Sequence, residues 1–233
     1  MSFDFTNRDV VVTGATGELG GAVARTLLDA GATLYLPVRS LAKARKQFVP
    51  FEDRARFVEV ADLGNEGAVE AFYATVPHLW ASIHTAGGFS WGRVDDISLA
   101  QFQSMLDMNA IPAFLCAREA IKKMRGRGGR IVNVSAQPGV EPRRGAGKSA
   151  YAASKAAVAA LTLALAEEVA DEKIWVNAVV PSIMDTPSNR KDMPDADHAK
   201  WPKVDEVAAT IAFLASPENA VTRAALVPVY GRT

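Results

Sequence analysis

Short runs rich in β-branched residues alternate with helical stretches along nearly the whole chain, and this alternation constrains the fold more than any other feature. The predicted strands are 10–13, 33–38, 57–60, 81–85, 130–134, 175–180 and 226–229. The predicted helices are 17–30, 41–48, 66–76, 99–124, 151–171 and 205–215, with a further short helix after Pro187. Such alternation is typical of repeated βα units. We therefore predict an α/β fold, a doubly wound parallel sheet of about seven strands with helices on both faces.

Length and composition restrict the classes of partner. The 233 residues have the length of one doubly wound unit, so we expect a single domain over residues 1–233. Apolar residues make up 49% of the chain, which is enough material for a core. Because 26 basic residues balance 26 acidic ones, no net charge favours a nucleic acid or an anionic membrane. We expect a small molecule as the partner.

The cysteine, histidine and apolar content indicates the compartment. Cys116 is the single cysteine, so an intramolecular disulfide is excluded, and the three histidines lack the spacing of metal ligands. No secretory leader is recognised, and the longest apolar stretch, 156–166, is too short to span a bilayer. We therefore expect a cytoplasmic protein without a bound metal.

A glycine-rich turn follows the first predicted strand and opens the first helix. It spans residues 13–20, with the sequence TGATGELG. Gly14 and Gly17 let the backbone bend sharply and approach a diphosphate, while Gly20 lets the helix pack closely on the strand. The turn therefore predicts a dinucleotide site that includes Gly14, Thr16, Gly17, Glu18 and Leu19.

The residues that follow the second predicted strand indicate which dinucleotide is bound. An acidic residue there would bind the adenosine ribose of NAD, but this chain has Arg39 and Ser40. A guanidinium can make a charge-assisted fork to a 2′-phosphate, and the serine can add a hydroxyl. The pattern favours NADPH over NADH, and the alternative is an arginine exposed at a helix start with no ligand.

Tyr151 and Lys155 stand four residues apart near the start of a long alanine-rich helix, on one helical face. A free tyrosine titrates near pH ~10, and a neighbouring ammonium favours its phenolate, so the pair can serve as a tuned acid and base. Standing alone, the same two residues would be ordinary helix-surface side chains. Together with the glycine turn they predict a catalytic pair.

Further short motifs fall at the ends of the later strands. They are Asp62-Leu63, Thr85-Ala86-Gly87, Asn109 within the fourth long helix, and residues 181–186 after the sixth strand. In this order, with the glycine turn and the Tyr151–Lys155 pair, the chain resembles the short-chain dehydrogenase/reductase family from Val10 to the C-terminus. The resemblance implies a Rossmann-type fold, an oxidoreductase activity and a homodimer or homotetramer.

The same resemblance implies roles for these residues. Asp62 and Leu63 would lie beside adenine, and Asn109 would support a water-linked proton relay through Lys155. The residues expected along the rest of the cofactor are Thr85, Ala86, Gly87, Tyr151, Lys155, Pro181, Ile183 and Thr186. Two predicted helices, 99–124 and 151–171, also carry more small and apolar residues than one buried face requires, which fits an interface between copies.

Two positions depart from the family pattern. Glu18 stands where a middle glycine is usual, and Gly17 lies one position earlier. After the fifth strand, alignment on Gly139 puts Ala136 at the position of the catalytic serine and Ser135 at a structural one. Either Ser135 points into the cleft through a local shift and serves as the fourth catalytic residue, or the enzyme works without this hydroxyl. Losing one aimed donor to a carbonyl oxyanion costs about 10²–10³ in rate.

A second, local resemblance concerns the substrate side. Residues 185–197 with Trp201, 231–233 and 86–91 are similar to the dihydropteridine reductase-like branch of the family. That branch also lacks the serine and reduces an imine-like pterin, but it prefers NADH. Within enzymes the sequence leaves open a ketone or 3-oxoacyl reductase and an imine reductase. A non-catalytic NADPH sensor is the alternative outside enzymes, and Phe89, Trp91 and Trp201 either line the cleft or pack within loops.

Overall fold

The computed structural model describes residues 3–233. Its strands are β1 (Asp9–Thr13), β2 (Thr33–Val38), β3 (Ala55–Glu59), β4 (Leu79–His84), β5 (Gly129–Val134), β6 (Ile174–Pro181) and β7 (Leu226–Val229). Its helices are α1 (Glu18–Asp29), α2 (Leu41–Gln47), α3 (Glu66–Ala74), α4 (Leu99–Met124), α5 (Gln137–Val140), α6 (Ser149–Glu168), α7 (Pro187–Asp192) and α8 (Val204–Ala215). Short 3-10 turns lie at 49–51, 142–145, 170–172 and 198–200.

The seven strands form one parallel sheet in the order β3-β2-β1-β4-β5-β6-β7. β1 pairs with β2 on one side and with β4 on the other, so the chain reverses its winding direction between β1 and β4. In open parallel sheets a ligand binds outside the carboxyl ends of the strands at such a switch point. The order confirms the predicted Rossmann-type fold and places the cleft above β1 and β4.

Alternating side chains along β1 explain why helices cover both faces of the sheet. Val10 and Val12 belong to a core cluster with residues of α1 and α8, whereas Val11 belongs to a second cluster with residues of α3, α4 and α6. Successive side chains of a strand point to opposite faces. Both faces of the central strand are therefore fully buried, as its run of valines predicts.

Most predicted boundaries agree with the structure to within two or three residues. β3 begins at Ala55 rather than at residue 57, because Ala55 and Arg56 already pair with Leu34 and Tyr35. The four-residue helix α5 was not predicted, because a segment this short has no helical periodicity. These differences do not move a strand end that borders the cleft.

The helix α6 is long and apolar enough, by length and composition alone, to span a membrane. It packs against α4 and β6, and Val158, Leu165 and Ala166 are buried. Packing within the fold accounts for an apolar helix of this kind. The expectation that its apolar stretch is too short to span a bilayer is wrong on length, because the helix extends beyond 156–166 at both ends.

A buried chain of hydrogen bonds crosses the middle of the sheet. His84 Nε2 lies 2.8 Å from Ser82 Oγ, which is 2.7 Å from the Tyr73 hydroxyl. His84 Nδ1 lies 2.7 Å from Asn133 Oδ1, and Asn133 Nδ2 donates to Thr162 Oγ1 at 2.9 Å. The donor and acceptor assignments make His84 a neutral ring protonated at Nδ1. Burial lowers the pKa of His84 to about 4.

This histidine predicts acid sensitivity. In the unfolded chain His84 takes up a proton near pH 6.5, but in the folded protein it does so only near pH 4. The stability that the neutral ring contributes is therefore complete above pH 6.5 and falls as the pH is lowered toward 4. Between pH 7.5 and 5 we expect the free energy of unfolding to drop by about 2 kcal/mol, measured by urea unfolding. His84→Gln should be less stable at pH 7.5 but lose most of this dependence, whereas His78→Asn, at an exposed histidine, should keep it. Equal pH dependence in wild type and His84→Gln would refute the assignment.

Candidate active site

A cavity of about 340 Å³ lies at the carboxyl ends of β1, β2 and β4. Its lining includes these residues predicted to bind the cofactor: Gly14, Thr16, Gly17, Arg39, Asp62, Leu63, Thr85, Ala86 and Gly87. Asp107, Met108 and Pro112 of α4 also line it and were not predicted. The sequence did contain one indication of this site, a proline inside a helical pattern. Pro112 has no N–H, so the Met108 carbonyl one turn earlier lacks its helical hydrogen-bond donor.

The glycine turn has a shape that only glycine permits at two positions. Gly14 has φ 70°, and a Cβ there would lie 2.8 Å from the Ala86 nitrogen. A Cβ on Gly20 would collide with the Gly14 carbonyl. Gly17 donates to the Gly14 carbonyl at 2.9 Å and leads into α1, whose first N–H groups have no helical acceptors. The turn therefore presents backbone donors at the edge of the cavity, where a diphosphate fits.

Eight residues predicted to bind the cofactor are outside the cavity lining, and three of them belong to the glycine turn and the start of α2. Leu19 is buried in the core cluster beneath α1, and the Glu18 side chain is exposed in the first turn of the helix. Ser40 caps α2, its Oγ accepting from the Lys43 nitrogen at 3.4 Å. Leu19 can contribute only backbone groups, because its side chain faces the core, whereas the Ser40 hydroxyl still has its proton to donate. The contacts of these three residues with a cofactor stay predictions.

Arg39 stands at the outer end of the cavity, just beyond β2. It is exposed and lines the cavity. Among residues 3–233 it forms no ion pair, so its guanidinium is available to an anionic ligand. Asp62, at the end of β3, accepts from the Gly64 nitrogen at 2.7 Å and is held in a tight turn on the same side.

The predicted catalytic pair lies on α6 beside the end of β5. Lys155 is buried, and its Nζ donates to the Val134 carbonyl at 2.9 Å and lies 6.0 Å from the Tyr151 ring centroid. Burial lowers the pKa of Lys155 to about 8 and raises the pKa of Tyr151 to about 12. At neutral pH Tyr151 is therefore a protonated phenol next to a lysine that is still a cation.

Asn109 is buried at the middle of α4 and has its amide fully bonded. Its Oδ1 accepts from the Gly88 nitrogen at 3.1 Å, and its Nδ2 donates to the Gly88 carbonyl at 3.1 Å and to Ser154 Oγ at 3.1 Å. A Cβ on Gly87 would lie 2.6 Å from Asn109 Oδ1 and 3.4 Å from Lys155 Nζ, so the three residues converge. The side chain therefore positions the loop after β4, and the predicted proton relay through Asn109 stays a prediction.

Ser135 does not point into the cleft, contrary to one of the two alternatives that the sequence left open. Its hydroxyl donates to the Lys155 carbonyl at 2.8 Å, and the residue is only 1% exposed. The serine therefore ties the end of β5 to α6, and the structure does not support it as a catalytic residue facing the cleft. Ala136, the next residue, caps α5 and carries no hydroxyl. Of the two alternatives, the arrangement fits the one in which no serine hydroxyl serves the substrate at this position.

The segment after β6 carries the residues predicted near nicotinamide. Thr186 is buried and caps α7, its Oγ accepting from the Asn189 nitrogen at 3.2 Å, while Ile183 is 37% exposed. Neither these two nor Pro181 contributes to the lining of the cavity. Trp201 is 7% exposed and packs on the His198 ring at 4.5 Å, so it is a buried loop residue rather than a cleft wall.

Comparison with known proteins agrees with this geometry. The family model for short chain dehydrogenases matches residues 8–197. The chain is 30% identical to the 3-oxoacyl-acyl-carrier-protein reductase FabG of Rickettsia felis, over 92% of each chain. It is 31% identical to a 3beta-hydroxysteroid dehydrogenase of Mediterraneibacter gnavus, over 82% of this chain and 71% of that protein.

Two solved structures extend the likeness to the whole fold. One, described as a short chain dehydrogenase/reductase family protein, has a TM-score of 0.90 at 28% identity and covers 98% of this chain and 97% of its own. A putative NAD(P) dependent gluconate 5-dehydrogenase from Beutenbergia cavernae, solved with bound NADP, has a TM-score of 0.89 at 26% identity, over 99% and 98%. The chain therefore belongs to the short-chain dehydrogenase family and is an oxidoreductase.

Proposed function

We propose that the protein uses NADPH to reduce a carbonyl or imine-like group of a small molecule, with Tyr151 as proton donor and Lys155 as its positioned cation. The observation that carries this proposal is the pair itself, a protonated phenol and a buried lysine on one face of α6. The lysine adjoins Gly87, which lines the cavity. When bound, the nicotinamide supplies the hydride. Since the family is one of oxidoreductases, a sensor without catalysis is set aside.

The residues around the cavity fit NADPH. The glycine turn packs its backbone closely against Ala86 and α1, which a Cβ would prevent, and its N–H groups would face a diphosphate. Arg39 offers a free guanidinium at the end of β2, where a 2′-phosphate would lie. The NADP-bound gluconate 5-dehydrogenase of similar fold supports the same choice.

Each residue of the pair has a distinct task. Lys155 donates one N–H to the Val134 carbonyl, so two N–H groups remain to bind the hydroxyls of a ribose. Its charge stabilises the phenolate that Tyr151 becomes after it has given its proton to the substrate oxygen. Asn109 keeps Gly87 and Gly88 against this pair and acts as a positioning residue.

Two substrate classes remain, and each has one supporting observation. Identities of 30–31% to 3-oxoacyl-acyl-carrier-protein reductases of Rickettsia felis and Rickettsia typhi support a 3-oxoacyl ester. An imine-like substrate, such as a quinonoid dihydropterin, is supported by Ser135 and Ala136, which offer no hydroxyl to a carbonyl oxygen. Oxidation of NADPH against diketones, 3-oxoacyl esters and a quinonoid dihydropterin decides between them.

The assembly and the compartment complete the proposal. Phe102, Ile111 and Phe114 of α4 and Leu163 of α6 are each more than a third exposed, which leaves apolar surface on two neighbouring helices. We propose a homodimer or homotetramer formed through these helices, with one cytoplasmic domain of residues 1–233 in each copy. Size-exclusion chromatography with light scattering measures the assembly.

Removal of the phenol should separate chemistry from binding. Tyr151→Phe is expected to lower kcat for the best substrate by about 10³, because a positioned general acid contributes 10²–10⁴. NADPH affinity should stay within about twofold, and Tyr35→Phe, on β2 outside the cavity, should retain full turnover. Unchanged kcat in Tyr151→Phe would remove the residue from the mechanism.

Removal of the guanidinium should change the cofactor preference. Arg39→Ala is expected to weaken NADPH binding by about 10–100-fold, the worth of a lost charge-assisted contact, and to leave NADH binding unchanged. Fluorescence titration of both cofactors measures this. Arg45→Ala, an exposed arginine of α2, is the matched control. Equal loss for both cofactors would show that Arg39 does not contact a 2′-phosphate.

The lysine predicts a decline in activity at alkaline pH. Its pKa of about 8 means that Lys155 is charged below this pH and loses its proton as the pH rises. We expect kcat/KM for NADPH to be constant near pH 7 and to fall about tenfold per unit well above pH 8. Any residual activity of Lys155→Arg should not decline there, because a guanidinium stays charged. Constant wild-type activity to pH 9.5 would contradict the lowered pKa.

A further inference from the structure

Three side chains beside Tyr151 form a continuous surface that the proposed chemistry does not use. The Phe89 ring contacts the Tyr151 ring edge to face, with centroids 4.8 Å apart, and the Trp91 ring contacts Phe89 in the same way at 5.1 Å. Lys148 Nζ lies over the Trp91 ring, 4.9 Å from its centroid. We call Phe89, Trp91 and Lys148 the aromatic wall. It leads outward from the catalytic phenol.

The aromatic wall is exposed although it is mostly apolar. Phe89 is 47% exposed and Trp91 is 58% exposed, whereas Trp201, the third aromatic residue of the predicted cleft, is buried. Large exposed aromatic side chains next to a functional group mark binding surfaces more often than core packing. The surface therefore has an apolar face available to a ligand that reaches Tyr151.

The loop that carries Phe89 and Trp91 is held at both ends. Asn109 bonds both the nitrogen and the carbonyl of Gly88, and the Gly92 nitrogen donates to the Gly147 carbonyl at 2.9 Å. A bridge also pairs Gly92 with Lys148. Because the backbone is fixed before a ligand arrives, little ordering cost is added on binding. A preformed surface of this kind selects for shape.

The far end of the aromatic wall carries a positive charge with no acidic partner. Among residues 3–233 no carboxylate lies within ion-pair distance of Lys148. The ammonium is half-buried and held over the Trp91 ring by a cation–π contact. The Lys148 ammonium is therefore placed to bind a negatively charged group of a ligand that lies along the two rings.

We propose that the aromatic wall selects substrates whose reacting carbonyl belongs to a flat ring system, with an acidic group on the side away from that carbonyl. The ligand ring would stack on Trp91 and meet the Phe89 ring, which stands at 89° to Trp91, edge to face. The carbonyl oxygen would then meet the Tyr151 hydroxyl, and Lys148 would bind the acidic group. This inference rests on the proposed function, since it assigns the substrate class of the same site.

Three vicinal dicarbonyl compounds separate the parts of the inference. Isatin is flat and neutral, isatin-5-sulfonate is flat and anionic, and diacetyl is an open chain with neither feature. Turnover of diacetyl with NADPH by the wild type tests the proposed function alone. Binding of the two isatins to the protein saturated with NADP⁺, measured by isothermal titration calorimetry, tests the aromatic wall without requiring turnover.

Trp91→Ala should weaken binding of both isatins about tenfold, the worth of one aromatic contact with its buried area, while Trp91→Phe stays within about threefold of wild type. Lys148→Gln should weaken isatin-5-sulfonate about fivefold and leave isatin unchanged. The matched controls are Phe213→Ala on α8 and Lys46→Gln on α2, both expected to bind as wild type. KM for diacetyl should not change in any variant.

Either of two results would overturn the inference. The first is that neither isatin binds to the wild type. The second is that wild type and Trp91→Ala bind the isatins with equal affinity. Loss of binding in Trp91→Ala together with no turnover of any dicarbonyl would keep the aromatic wall and reject the proposed function.

Discussion

Two reciprocal hydrogen bonds between β5 and α6 fix the position of the proposed catalytic pair. Ser135 donates to the Lys155 carbonyl, and Lys155 Nζ donates to the Val134 carbonyl, so strand and helix each hold the other. A Cβ on Gly139 would lie 2.7 Å from the Lys155 carbonyl carbon, so this close approach also needs a glycine in α5. With Lys155 fixed in this way, Tyr151 one helical turn earlier has its position set by the same contact.

This contact also explains why the Ser135 hydroxyl turns toward α6 and away from the cleft. A buried hydroxyl must find a partner, and the nearest acceptor with good geometry is a backbone carbonyl of α6. The burial that holds the lysine also lowers its pKa, because it removes water from the ammonium without supplying a carboxylate. The position of the lysine and its readiness to lose a proton therefore have a common origin.

The sequence was a good guide wherever its pattern concerned backbone periodicity. Strand ends and helix faces were predicted because alternation and glycine placement act over many residues, and the cavity lies where those strand ends meet. It was a poor guide to the direction of single side chains. Leu19 and Ser135 both stand in motifs of the cleft, yet one packs in the core and the other bonds to a helix. A step of one residue turns a side chain away from the cleft, and no local pattern records which neighbour it meets.

The two hydrogen-bonded ends of the loop after β4 give it a modular character. Gly88 is fastened by Asn109 and Gly92 by Gly147, and between these attachments lie only residues 89–91. None of residues 89–91 lines the cavity, although the Phe89 ring contacts that of Tyr151. The path of the backbone between the two attachments is therefore set by the fold itself, so the side chains of this interval keep their directions with or without a ligand.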